Sequence, residues 1–132
     1  MATKIIIWLL RILAAAIMCM TLYFKFSGHP QSVHLFTLLG MEPWGRWGIG
    51  TLELIASILI LYPRTTAFGA LLGLGLMAGA IFFHLTKLGI KFDGDYGLFT
   101  YAVITFVCCA ILVIIYFGDL LRFAGISKVK AA

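Results

Sequence analysis

Residues 47–63, WGIGTLELIASILILYP, decide the architecture, because they place one carboxylate, Glu53, near the middle of an apolar run of helical length. With its flank at Trp44, such a run crosses most of a hydrocarbon layer about 30 Å thick, at a rise of about 1.5 Å per residue. A charged group at that depth is costly unless it is paired or hydrated, so an intramembrane carboxylate marks a functional site by default. Gly50, Glu53, Ala56 and Ser57 fall on one face, which lets a neighbouring helix approach closely beside the carboxylate. Trp44, Arg46 and Trp47 suit the headgroup boundary at one end, and Tyr62-Pro63-Arg64 makes a turn at the other.

The rest of the chain repeats the pattern. Of 132 residues, 63% are hydrophobic and only 11% are charged. That excludes an ordinary soluble domain, which is about half apolar and a quarter charged. The hydropathy predicts an all-α membrane protein of one integral domain, a bundle of four transmembrane helices over residues 4–26, 44–61, 66–87 and 98–117. A short interfacial helix is expected in the first loop, where His29-Pro30 offers a start and Gly40 and Pro43 a stop. The first run is too long for a signal peptide, is interrupted by Arg11 and lacks a small-residue cleavage site, so it reads as a retained span.

The net charge of +5 does not point to nucleic acid, because the basic residues stand singly at helix ends and in loops. Topology and anionic lipid explain that distribution. Four spans put both termini on one side, and Lys4, Arg64, Arg122, Lys128 and Lys130 favour the cytoplasm for that side. Cys19, Cys108 and Cys109 form no CxxC pair and read as small core residues, with no metal site expected. The span over 66–87 carries two GxxxG pairs, Gly69/Gly73 and Gly75/Gly79, facing different ways, as expected of a helix wedged between two neighbours.

Arg11 is the second ionisable residue inside a span. On one stripe with Ala14, Ala15, Met18, Leu22 and Lys25, it lies at a depth estimated within about one helical turn of Glu53. Arg11 and Glu53 are therefore expected to form a buried pair, either a structural ion pair or the wall of a ligand site. Lys25, Trp47, Met77, His84 and Tyr101 are secondary candidates for the same site. Their bland readings are interfacial anchors and interhelical hydrogen bonders. No P-loop, GxGxxG, HExxH or nucleophile elbow is present.

The motifs Lys25-Phe26, His29-Pro30, Leu39-Gly40, Pro43, Gly50, Glu53-Leu54, Pro63-Arg64, Gly69-Ala70, Met77-Ala78-Gly79-Ala80 and His84-Leu85 together resemble the DoxX-like family of small bacterial four-helix membrane proteins. The resemblance covers about residues 25–85. It implies a multi-pass protein of the bacterial inner membrane and a link to respiratory or thiol redox chemistry, since the name-giving members are associated with a thiosulfate:quinone oxidoreductase. The leading expectation is an accessory or small-molecule-binding component of redox or stress metabolism, with quinone as candidate ligand and no cofactor motif to fix it. Expected partners are the lipid bilayer and a membrane redox protein. The alternatives are an enzyme acting on a lipophilic substrate through Glu53 or His84, and a small transporter assembled as a homodimer.

Overall fold

A computed structural model of the chain describes residues 2–92, 96–123 and 125. Among these residues six α-helices follow in order: α1 (Ala2–Ser27), α2 (Pro30–Leu38), α3 (Trp44–Leu61), α4 (Thr66–Phe83), α5 (Gly97–Ile115) and α6 (Phe117–Phe123). Among the described residues four stretches, Ala2–Ser27, Trp44–Leu61, Thr66–Leu88 and Gly97–Ile115, are long and apolar enough to cross a membrane. The expected all-α, four-span architecture is the one observed, with α2 as the short helix of the first loop.

The long helices form a ring. α1 packs on α3, α3 on α4, α4 on α5, and α5 returns to α1. α3 and α5 thus face each other across one diagonal, and α1 and α4 across the other. The core is built from small and flexible residues, including Ala14, Met18, Ala56, Ala70 and Cys109. Bulk is turned outward at Ile5, Leu9, Ile58, Leu71 and Ile114. That inversion of a soluble protein is what lipid selects, because helices gain by close packing while Leu and Ile lose nothing against acyl chains.

α4 is the wedge, but only one of its two glycine pairs packs. A Cβ on Gly69 would lie 2.6 Å from the Ile60 backbone nitrogen and 2.8 Å from the Ala56 carbonyl oxygen, and one on Gly73 would lie 2.9 Å from Cys109 Sγ. Gly75 and Gly79 meet nothing within 4 Å. The second pair lines empty space, so the wedge between α3 and α5 rests on Gly69 and Gly73, not on two glycine pairs as expected.

Two further boundaries differ from the hydropathy reading. Regular α-helix ends at Phe83, and His84–Leu88 form one wider, π-helical turn closed by Gly89 at a φ of 82°. The fourth span, expected to run to residue 117, ends at Ile115, and Phe117 opens α6, held by an Arg122–Asp119 ion pair of 2.7 Å. Residues 126–132, including Lys128 and Lys130, and the loop carboxylates Asp93 and Asp95 lie outside the described residues.

The α1–α3 pair is clasped at both ends by an arginine. Arg11 of α1 donates from Nε to the Ile60 carbonyl and from Nη2 to the Leu61 carbonyl, each at 2.8 Å. At the other end Arg46 of α3 donates from Nη1 to the Lys25 carbonyl and from Nε to the Glu42 carboxylate at 2.7 Å. The last carbonyls of a helix have no intrahelical partner and carry the negative end of its dipole, so a guanidinium with five donors serves each end well. Arg11 also stacks on Trp8, with 3.7 Å between Cζ and the ring centroid.

Candidate functional site

Arg11 and Glu53 do not meet. The sequence estimate aligned the midpoints of two spans, but α1 has 26 residues and α3 has 18. α1 overhangs α3, so Arg11 is level with the end of α3 and Glu53 lies about 11 Å further along it, seven residues before Ile60. Two consequences follow for stability. Arg11→Met should cost about 2 kcal/mol, because two helix-end carbonyls lose charge-assisted bonds. In unfolding measurements in detergent, combining Arg11→Met with Glu53→Gln should give additive losses, since no group is shared.

Glu53 is instead held by α1 one end further up. Lys25 Nζ lies 2.7 Å from Glu53 Oε1, and the Thr21 hydroxyl lies 3.0 Å from Oε2 with the Met18 carbonyl as its other acceptor at 2.9 Å. Helical side chains lean toward the helix N-terminus, so Lys25 near the end of α1 reaches back into the bundle and brings its ammonium to mid-span depth. Glu53 is 1% exposed. Its Oε1 contact with Lys25 is a buried ion pair.

This pair borders a cavity of about 460 Å³ that opens between the upper ends of the spans. Apolar side chains such as Ile17, Phe24, Ile49, Leu76 and Phe83 make most of its wall, and Gly75 and Gly79 make it wide. Its roof comes from the first loop and α2, through His29, Gln31, Ser32, Leu35 and Phe36. The local chemistry places that roof firmly. Gly28, at a φ of 72°, ends α1, and the His29 amide returns to the Phe24 carbonyl at 3.0 Å. The His29 ring then accepts from the Gln31 amide at 3.2 Å, and Pro30 starts α2.

His84 stands at the rim, where the π-helical turn aims it. Its Nδ1 is 3.0 Å from the Gly89 carbonyl. A carbonyl can only accept, so Nδ1 carries the proton and a neutral ring presents Nε2 as acceptor. Of the other secondary candidates, Met77 and Tyr101 line the cavity with Lys25. Trp47 does not; it is 52% exposed on the outer face of α3.

Two contributors were not legible as site residues. Thr21 carries the same helical stripe as Lys25, four residues earlier, and that spacing was the available signal. Thr105 stands one turn after Tyr101 on α5, and its buried hydroxyl has no hydrogen-bond partner among the described residues.

A family model described as "Methylamine utilisation protein MauE" matches residues 3–97, which take in α1 to α4 and the whole roof of the cavity. No curated protein and no solved structure gives a match.

Proposed function

The chain belongs to the MauE family of methylamine-utilisation membrane proteins, and from that premise we propose that it is an accessory component of redox metabolism whose bundle takes up a small, neutral, lipophilic molecule beside Lys25 and Glu53. The DoxX-like pattern reads as a wider kinship within this proposal, and a quinone as the ligand class it favours.

The observation that carries the reading is a charge-compensated pair bordering a large apolar cavity. The volume of about 460 Å³ falls in the range of sites for drug-sized ligands, which are apolar with a few placed polar groups. Lys25 and Glu53 offset one another, so an ionic ligand would bring an uncompensated charge into a low-dielectric site. A carbonyl compound brings none. The ammonium has three N–H groups and one carboxylate partner, leaving donors for a ligand oxygen.

Mass spectrometry of small molecules released from gently purified protein tests the proposal. Wild type should retain a neutral organic molecule of a few hundred daltons. Gly79→Leu, which adds a side chain into open space, should fold normally and lose at least about nine-tenths of it. Equal retention by both proteins would mean that the cavity is not the binding site.

A second reading, an enzyme transferring a proton to or from such a molecule, has one observation in its favour: the fixed tautomer of His84 leaves Nε2 as a base at the rim. Turnover lost in His84→Gln with retention unchanged would establish it over simple binding.

A further inference from the structure

Thr105 is the one buried hydroxyl among the described residues that has no hydrogen-bond partner. Threonines elsewhere in these helices behave differently. Thr37, Thr51, Thr86 and Thr100 each donate to the carbonyl four residues earlier, at 2.7 to 2.9 Å. That bond is the ordinary refuge of a helical threonine in an apolar setting. Thr105 is 0% exposed and borders the cavity, yet its hydroxyl makes no such bond. An unsatisfied hydroxyl in an apolar environment costs about 1–3 kcal/mol.

Its position is informative. Thr105 lies eight residues into α5 from Gly97, and Glu53 lies nine residues into α3 from Trp44, so both are about 12–14 Å below the helix starts on the same side. α3 and α5 are the diagonal pair of the ring, and on the α3 side the Lys25 ammonium, 2.7 Å from Glu53 Oε1, is the group with N–H donors left for a ligand oxygen. The unsatisfied Thr105 hydroxyl and the Lys25–Glu53 pair therefore flank the inner end of one cavity from opposite sides. Met18 and Met77 complete that end, and their flexible thioethers can yield to an incoming ring.

We infer that the ligand bears two separated oxygen functions, one bound at Lys25–Glu53 and the other accepting a hydrogen bond from Thr105 across the bundle. This rests on the binding reading above and makes it specific: a dioxygenated ring such as a quinone, not a lipid tail or a single-headed alkyl compound.

The test uses the full-length protein in nanodiscs and three probes. Decylubiquinone has ring carbonyls on opposite sides, 4-decylacetophenone has one carbonyl, and decylbenzene has none. Thr105→Val should weaken decylubiquinone about five- to tenfold, the value of one hydrogen bond, and leave decylacetophenone unchanged. Thr105→Ser should restore decylubiquinone binding. The melting temperature of ligand-free Thr105→Val should equal or exceed that of wild type, because no hydrogen bond is lost; a merely structural hydroxyl would lower it. Equal affinity of wild type and Thr105→Val for decylubiquinone overturns the inference alone. Failure of all three probes to bind wild type overturns the binding reading with it.

Discussion

Lys25→Met should destabilise the protein by about 3 kcal/mol, the largest loss expected from any substitution at the site. It removes the only cation among the described residues that pairs with a carboxylate 1% exposed, and breaking one side of a buried pair strands the other charge in a medium that cannot solvate it. Glu53→Gln should cost less. Lys25 stands near the end of α1, and with its partner gone the ammonium can swing outward toward water. The double variant Lys25→Met/Glu53→Gln should recover most of the loss, since it buries no charge at all. Unfolding curves of the four proteins in one detergent give the coupling directly, and additive losses would contradict the pairing.

Gly69→Ala should be the most damaging single-methyl change in the bundle, at about 3 kcal/mol. The added carbon would stand 2.6 Å from one backbone atom of α3 and 2.8 Å from another. Backbone cannot rotate aside as a side chain can, so α3 and α4 must separate along their whole contact. Gly73→Ala meets a cysteine sulfur, which can yield, and should cost less. Gly75→Ala should be close to neutral. Thermal melts of the three variants order them, and equal losses would mean that α4 is not seated as described.

The fold was legible because its signals are local. Each span is a run of apolar residues, and the small-residue face of Gly50, Glu53, Ala56 and Ser57 is buried as its spacing required. His29-Pro30 and Gly40 bounded α2 for the same reason. The partner of Glu53 was not legible, because pairing depends on the axial offset between helices, and hydropathy locates the middle of a span without saying how far it overhangs its neighbour. Taking α1 and α3 as level put Arg11 opposite Glu53. The overhang of α1 moves Arg11 to the carbonyls of Ile60 and Leu61 and brings Lys25 down to the carboxylate. The glycines of α4 failed in a related way. A GxxxG pair states that backbone can be approached, not that anything approaches it, and at Gly75 and Gly79 the space is cavity.

The roof explains why a site would be built from this arrangement. Arg46 ties the end of α1 to the start of α3 through the Lys25 carbonyl, while the Lys25 side chain reaches the other way to Glu53. One residue thus joins the clasp at the mouth to the polar point inside the cavity. A structural pair and a binding pair make different demands here. A structural pair is satisfied once both charges are gone; a binding pair is not.

Retention of the co-purified small molecule by the Lys25→Met/Glu53→Gln variant separates the two most directly. The expected result is a protein with near wild-type melting behaviour that has lost the retained molecule. Retention at the wild-type level in that stable double variant would contradict the assignment of Lys25 and Glu53 as the site.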